Sequence, residues 1–350
     1  MSRNLCDAHR QWCTRPPDER FADLDSLLAF TQRAKAASTE STRNLHEIHL
    51  EVTDQDGIVL NGSEHPAMLN NWSFGQLSTA VGAPAKYLRT LPPDTVVECL
   101  RHGLGNRNAD AKFLYRDGDD HRSVAALTGP KYGRIWDADV VAALRDAVAG
   151  TGWRVPPART NGQSEDAGLY ASDRDMFAFF VNDENPIEVG NARLGRGFLC
   201  WNSETGSCTF GLTTFLYNYV CGNHIVWGAE EVREIKIVHR AKAVERFRLD
   251  ALPALNRFVE DRVAAEAIAD GVNRAHLQKV GDDVESVADW FRDKPFTGSE
   301  VASAWRTGRD EGEDVSTLWG MVQGFTAHAR RLSFASSRVD LERRAGALLI

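Results

Sequence analysis

The spacing of hydrophobic positions changes between residues 137 and 227, and this change predicts the fold class. In residues 137–153 apolar side chains recur at helical spacing and two glycines follow, which predicts a helix. Residues 168–183 and 196–212 are extended, aromatic-rich runs that predict antiparallel strands, with a hairpin turn at residues 203–206. Residues 213–221 return to helical spacing, with Gly222 placed to end a helix. The order predicts an α+β fold built on an antiparallel sheet with a βββα-type core.

The remaining chain divides into four predicted regions. Residues 1–43 are predicted to be an N-terminal extension with a possible helix over residues 21–35, and residues 44–125 an N-terminal strand followed by a small helical subdomain. Residues 126–245 form the predicted α+β core, and residues 246–350 a helical C-terminal region.

Two motifs in the second region invite a functional interpretation. Residues 44–52 alternate as a strand does, so His46 and His49 should point to opposite faces and do not form a metal pair. Residues 76–88 resemble a helix-turn-helix that exposes Lys86, Tyr87 and Arg89. The alternative is a helical hairpin that only packs on the sheet.

Composition narrows the class of protein. The 350 residues include no apolar run long enough for a membrane helix, and the N-terminus lacks the apolar segment of a secretory signal. Six cysteines form no paired framework, so we expect a cytoplasmic protein with free thiols and no membrane partner. The net charge of −8 argues against a uniformly basic surface. A local basic groove remains open, because residues 233–248 hold six Lys or Arg against two Glu.

The loop of residues 128–137 carries the strongest candidate chemistry. It interleaves cations with aromatic residues, as single-stranded nucleic acid requires, although the aromatic rings could instead tuck into the core. On the following strands, Arg196 and Asn202 face outward if Leu199 and Trp201 pack inward. The predicted nucleic-acid contacts are Lys131, Tyr132, Arg134, Trp136, Arg174, Arg196, Asn202, Arg240 and Lys242.

Other chemistries have less support in the sequence. A zinc site would have to draw on Cys200, Cys208, Cys221, His224 and His239. Only Cys221 and His224 have the close spacing that structural zinc sites use. A metal-dependent nuclease could draw on Asp173, Asp175 and Glu204, yet such spacing is common on solvated strand ends. No glycine-rich phosphate loop or nucleophile elbow is present, so we predict no cofactor, no metal and no catalytic residue.

The chain resembles a known family, the phage and plasmid-like proteins grouped as domain of unknown function 932. The resemblance rests on FGQLSTAVGAPAKYLRTLP, LTGPKYGRIWDADVVAAL, LYASDRDMFAFFV, RGFLCWNSETGSCTFGLTTFLYNYVCGNHIVWGA and LWGMVQGFTAHAR, and it spans about residues 72–349. It implies association with phages, plasmids or integrated elements, but no established activity. In element order alone, the helix, strands and second helix are similar to the βββα core of single-strand annealing proteins, an analogy of fold.

These observations lead to one hypothesis and two alternatives. We expect a cofactor-independent protein that binds single-stranded DNA, anneals complementary strands in recombination, and assembles as a homo-oligomeric ring or filament. The alternatives are a metal-dependent nuclease acting on nucleic acid and a protein-binding accessory factor that counters a host defence.

Overall fold

The computed structural model describes residues 19–55, 57–61, 66–155, 157–160, 163–166, 168–189, 192–218, 224–225, 235–260, 263–329, 331–332, 341–342 and 344–349. The described chain begins with strand β1 (Arg20–Phe21) and helix α1 (Leu24–Ala36). The side chain of Asp23 caps this helix by accepting a hydrogen bond from the Ser26 backbone, 2.7 Å away.

A six-stranded sheet, called here the N-terminal sheet, follows the first helix. Its strands are β2 (Ser38–Asn44), β3 (His49–Val52), β4 (Ile58–Asn61), β5 (Ala67–Leu69), β6 (Asp110–Asp117) and β7 (Arg122–Thr128). The strand order is β2-β6-β7-β5-β4-β3, antiparallel except for the β5–β7 pair. Three helices inserted before β6 pack on it: α2 (Asn71–Ala80), α3 (Ala85–Leu88) and α4 (Pro93–Gly105).

The second sheet, called here the central sheet, comes after helix α5 (Asp137–Val148). Its strands are β8 (Trp153–Arg154), β11 (Leu169–Ala171), β12 (Met176–Val189), β13 (Ala192–Asn202), β14 (Phe210–Asn218), β15 (His224–Ile225) and β16 (Ile235–Ile237), together with β1. All its pairings are antiparallel, and β9 (Pro157–Thr160) and β10 (Gln163–Asp166) form a separate hairpin. The helices α1 and α5 share its hydrophobic core.

Helices account for most of the described C-terminal region. They are α6 (Ala243–Arg246), which continues as a π-helical turn (Phe247–Ala251), then α7 (Leu252–Glu260), α8 (Val263–Leu277), α9 (Val284–Trp290), α10 (Gly298–Asp310) and α11 (Leu318–Ala329). The first two join the core of the central sheet, whereas α8–α11 build a separate core around Trp319, Phe291 and Phe325. Among the described helices, none is both long and apolar enough to cross a membrane.

The α+β class and most of the predicted elements are confirmed. The predicted hairpin of residues 196–212 is present, since Trp201 pairs with Gly211 and Cys200 with Leu212. The three short helices before β6 and the helical C-terminal region are also present. His46 lies in a 3₁₀ turn just before β3, and His49 faces solvent from that strand.

The predicted helix over residues 213–221 is wrong. Residues 213–218 continue strand β14, which pairs with β13 as far as Asn218, and residues 219–221 lie outside the described part. In a short run of apolar residues the spacing fits a strand as well as a helix, so periodicity alone could not separate the two. The β-branched and aromatic residues of this run, among them Thr213, Thr214 and Phe215, favour the strand.

The polar tract of residues 38–44, placed by sequence in the N-terminal extension, forms β2. It pairs with β6 over its whole length at the edge of the N-terminal sheet. Most of its side chains are exposed, as suits an edge strand whose outer side faces water.

Candidate functional site

The turn between β13 and β14 is buried, although hairpin turns usually face solvent. Ser203, Glu204 and Thr205 are each at most 5% exposed. The Thr205 carbonyl oxygen accepts hydrogen bonds from Trp72 Nε1 (3.1 Å) and Gln76 Nε2 (2.9 Å) on helix α2. The turn therefore joins the central sheet to the helices that cover the N-terminal sheet. Gly206, at φ 86°, supplies the left-handed residue that ends the turn.

Glu204 is the centre of a buried ionic cluster. Its carboxylate accepts a hydrogen bond from the Arg116 guanidinium on β6 and another from the Asp137 backbone at the start of α5 (3.1 Å). Its carbonyl oxygen accepts one from Arg134, whose Nε also binds the Glu40 carboxylate at 2.6 Å. Both sheets and α5 thus meet at one buried carboxylate.

Asn202 and Asp137 complete the cluster. Asn202 Nδ2 donates to Asp137 Oδ1 (2.7 Å) and to the Ile135 carbonyl oxygen (2.9 Å). Burial, and then the nearby Glu204 carboxylate, raise the pKa of Asp137 well above its usual value. The prediction that Asn202 faces outward is wrong, because both faces of the central sheet are covered at this point and Asn202 is fully buried.

Tyr132 and Arg134 also turn inward from the loop of residues 128–137. The Tyr132 ring stacks on His239 with centroids 5.0 Å apart, and the Arg134 guanidinium lies 5.2 Å from the same ring. The Tyr132 hydroxyl donates to the Ser203 carbonyl oxygen at 2.9 Å, and burial raises its pKa. Arg134 is itself only 5% exposed, so its predicted contact with nucleic acid is wrong: its charge is used inside the protein.

His239 fixes the position of this loop. Its Nδ1 lies 3.2 Å from the Gly133 carbonyl oxygen, and burial lowers its pKa to about 4, so the ring is neutral near pH 7. Gly133 packs so tightly on the carbonyl oxygen of Arg240 that a Cβ there would clash with it. The loop and residues 238–240 consequently form one packed wall.

That wall borders a groove of about 810 Å³, called here the cationic groove. Lys131 and Arg240 are exposed in its lining, the described residues of the lining include no carboxylate, and Lys242 is exposed two residues further along the chain. None of these three cations makes an ion pair within the described residues. The lining residues are Gly129, Pro130, Lys131, Tyr132, Gly206, Ser207, Cys208, Thr209, Val238, His239, Arg240 and Ala241.

A second groove of about 590 Å³ begins at the same turn and is called here the neutral groove. It shares Gly129 and Gly206 with the cationic groove, and among its described lining residues only Asp110 is charged. The other described lining residues are Leu45, Trp72, Gly75, Gln76, Thr79, Ala80, Ala85, Ala111, Leu127 and Thr128. The two grooves adjoin at Gly129 and Gly206.

The remaining predicted contacts are not among the described lining residues of either groove. The Arg174 guanidinium lies 5.4 Å from the Trp72 ring, and the Arg174 carbonyl oxygen accepts hydrogen bonds from three hydroxyls of the turn. Arg196 lies over Trp153 at 5.6 Å. Trp136 is half-buried between Arg134 and Lys35, 5.6 and 5.7 Å from its centroid. The structure therefore brings Lys131, Arg240 and Lys242 together on the surface.

The residues considered for metal chemistry are dispersed. Asp173 is exposed, whereas Asp175 is buried and accepts hydrogen bonds from the hydroxyls of Ser172, Tyr170 and Ser207. Glu204 belongs to the cluster with Arg116. Within the described residues, no three His, Cys, Asp or Glu side chains converge to hold a metal ion, and Cys221 lies outside them.

Sequence analysis missed Arg116, Glu40 and His239 as members of this region. The first two come from neighbouring strands of the N-terminal sheet, β6 and the edge strand β2, far from the turn in sequence. The sequence shows only that both residues are charged. No local feature could have indicated that Arg116 would pair with Glu204 of the turn, or Glu40 with Arg134.

These features define a two-sheet α+β protein with a cationic groove beside a buried inter-sheet turn. The chain belongs to the family described as domain of unknown function 932, whose model matches residues 125–346, more than half of the chain. The match includes the loop, the turn and residues 238–242, but not Arg116 or the helices that carry Trp72 and Gln76. No curated protein and no solved structure shows significant similarity to the chain.

Proposed function

We propose that the cationic groove binds single-stranded nucleic acid through its phosphates. The observation that carries this proposal is the charge of the lining: Lys131 and Arg240, with no carboxylate among the described lining residues, in a chain of net charge −8. A concave surface of one sign concentrates field lines and attracts ligands of the opposite sign. The anion that suits a groove rimmed by several separate cations is a polyanion.

The form of the ligand follows from the shape of the site. A flexible single strand can enter a concave groove and place successive phosphates against Lys131, Arg240 and Lys242. A duplex is a stiff convex cylinder and would touch only the rim. Tyr132 and Arg134 shape the wall of the groove in this proposal, because their contacts are with His239, Ser203 and the ionic cluster.

Annealing of complementary strands by a homo-oligomer is the finer part of the proposal. It rests on α5 followed by the antiparallel strands β11–β14, the order that resembles single-strand annealing proteins. Because residues 213–218 continue a strand, one element of that order is missing, and annealing needs its own assay. Light scattering with and without single-stranded DNA, and strand annealing without nucleotide, test this part directly.

Binding is tested by titrating fluorescent single-stranded DNA at several salt concentrations. Counterion release gives a slope of about −0.7 in log affinity against log salt for each phosphate contacted. The double variant Lys131→Ala with Arg240→Ala should therefore flatten the slope by about 1.4 and weaken binding. A matched control is Lys279→Ala with Arg292→Ala, which removes two exposed cations that line neither groove.

The same titration separates the alternatives. Cleavage that requires magnesium would favour the nuclease, and an unaffected double variant would place the strand elsewhere on the protein. If the parent protein binds no single strand at any salt concentration, the proposed function is wrong and a protein partner becomes the better hypothesis.

A further inference from the structure

Tyr87 on helix α3 is an unusual residue of the surface. Its side chain is 60% exposed, and it is the one aromatic residue among the large exposed hydrophobics of the described chain. The rings of Tyr115, Tyr132 and Tyr170 each stack on, or lie under, another aromatic ring or a guanidinium. Within the described residues, no ring or cation covers Tyr87.

The backbone that presents Tyr87 is firmly held. The next residue, Leu88, is 2% exposed and packs in the core of the N-terminal sheet. Arg89 donates hydrogen bonds to the side-chain and carbonyl oxygens of Asn71, at 3.0 and 2.9 Å. The turn before α3 uses Gly82 at φ 77°. The Tyr87 ring is thus offered to solvent from a rigid position, as a stacking platform must be.

The two grooves lead from the exposed cations to this helix. The cationic and neutral grooves meet at Gly129 and Gly206, and the lining of the neutral groove extends to Ala85, the first residue of α3. Lys86 and Tyr87 follow directly and are both exposed. A strand that enters at Arg240 and crosses the Gly206 turn would reach Ala85, which Lys86 and Tyr87 follow in the chain.

The charges along this path separate phosphates from bases. The cationic groove has two cations, whereas Asp110, which accepts a hydrogen bond from Asn44 at 3.2 Å, is the only charged residue in the described lining of the neutral groove. Phosphates are attracted to the first groove and repelled by Asp110 in the second, so the neutral groove favours bases. Beyond the neutral groove the charge again favours phosphates, because residues 65–93 include Lys86 and Arg89 but no Asp or Glu.

We propose that Tyr87 and Lys86 form the far end of the single-strand path, where Tyr87 stacks on a base and Lys86 contacts a phosphate. This inference rests on the proposed function of the cationic groove. It adds that the strand runs through both grooves, so binding depends on strand length. Stacking of one base on an exposed aromatic ring is sequence-tolerant, because every base has a flat face.

The test is a length series of oligo-dT, from lengths that fill only the cationic groove to lengths that span both grooves. For the parent protein, affinity should rise in two steps. Tyr87→Ala should abolish the second step, weakening long strands by about 5- to 150-fold while leaving short strands unchanged. Tyr87→Phe should retain it, because a phenyl ring still stacks. Leu277→Ala, at a residue that is 87% exposed, is the control for loss of exposed apolar surface.

Each outcome bears on a separate claim. If Tyr87→Ala matches the parent at every length while the parent binds, the cationic groove stands and the far-end contact is wrong. The far-end contact is equally wrong if the variant weakens short and long strands to the same extent. If the parent does not bind, both claims fall together. Melting temperatures of all variants equal to the parent show that binding, not folding, has changed.

Discussion

The ionic cluster beneath the turn and the rim of the cationic groove use the same residue types for opposite purposes. In the cluster, Arg116 pairs with the buried Glu204 carboxylate and Arg134 donates a hydrogen bond to the Glu204 carbonyl oxygen. On the rim, Lys131 and Arg240 have no ion pair in the described structure and face water. Lys131 and Arg134 are only three residues apart in one loop.

The difference shows that the role of a cation depends on which groups lie near it in the folded protein. Arg134 gains two oxygen partners, the Glu204 carbonyl oxygen in the turn of the central sheet and the Glu40 carboxylate on β2. Lys131 comes just before Tyr132, whose hydroxyl holds the loop against the turn, and the Lys131 side chain is exposed to solvent. Removing the buried cation should therefore affect folding, and removing the exposed one should affect only binding.

The strongest test of this contrast is Arg134→Ala beside Lys131→Ala. Arg134→Ala leaves the Glu40 carboxylate and the buried Glu204 carbonyl oxygen without their partner. Leaving the buried carbonyl oxygen without a donor costs about 1–3 kcal/mol of unfolding free energy, and the cavity left by the side chain adds to this loss, whereas the exposed Glu40 carboxylate can be solvated. Lys131→Ala, on the surface, should change it by less than about 0.5 kcal/mol. Urea unfolding of the two variants measures both values. Equal stabilities would show that the cluster does not hold the sheets together.

The sequence predicted the class of the fold because its signals there are local. The helix over residues 137–148 and the hairpin around residues 203–206 depend on spacing within one segment, and both are present. Residues 213–218 could not be assigned from spacing, because the positions of the apolar residues in so short a run fit both a strand and a helix.

The candidate site could be predicted only in part, for a related reason. Lys131, Arg240 and Lys242 were selected for their charge, and the structure places them on one surface. Arg134, selected by the same rule, and Asn202, selected from the alternation of strand faces, are instead buried against Glu204 and Asp137, partners far away in sequence. A sequence shows which residues are charged, but it does not show the long-range contacts in which those residues become buried.

The next test concerns His239, in the wall of the groove, and measures how the free energy of unfolding depends on pH. His239 has an ordinary pKa of 6.5 but about 4 in the folded protein. Between these values the unfolded chain takes up a proton that the folded chain does not, so acid favours unfolding. The difference corresponds to about 3 kcal/mol of stability, present above pH 6.5 and lost as the pH falls to about 4. Unfolding free energies measured across this range should show the loss.

The variant His239→Phe isolates this contribution, because a phenyl ring can stack on Tyr132 but cannot take up a proton. It should lose less stability than the parent between pH 6.5 and 4. Asp137 acts in the opposite sense in both proteins: its raised pKa gives stability at low pH that is lost as the pH rises. Parallel pH profiles for the parent and the variant would contradict a neutral, buried His239.

A smaller effect is expected when two tyrosines are compared: Tyr132 in the wall of the groove and Tyr87 on the surface. Tyr132→Phe removes the hydroxyl that donates to the buried Ser203 carbonyl oxygen but keeps the stacked ring. Loss of such a hydrogen bond costs about 1–1.5 kcal/mol. Tyr87→Phe, on the exposed ring, should cost nothing measurable. Thermal melts of the pair decide this, and a destabilised Tyr87→Phe would mean that the Tyr87 hydroxyl has a structural partner.

The smallest expected effect belongs to Lys242, the exposed residue that precedes α6. Its side chain makes no cap hydrogen bond to that helix, so Lys242→Ala should leave the melting temperature unchanged. If Lys242 contacts one phosphate, the variant should flatten the salt slope of single-strand binding by about 0.7, and Lys242→Arg should restore it. An unchanged slope in a protein that still loses binding with Lys131→Ala would confine the strand to the cationic groove and leave residues 242–248 outside its path.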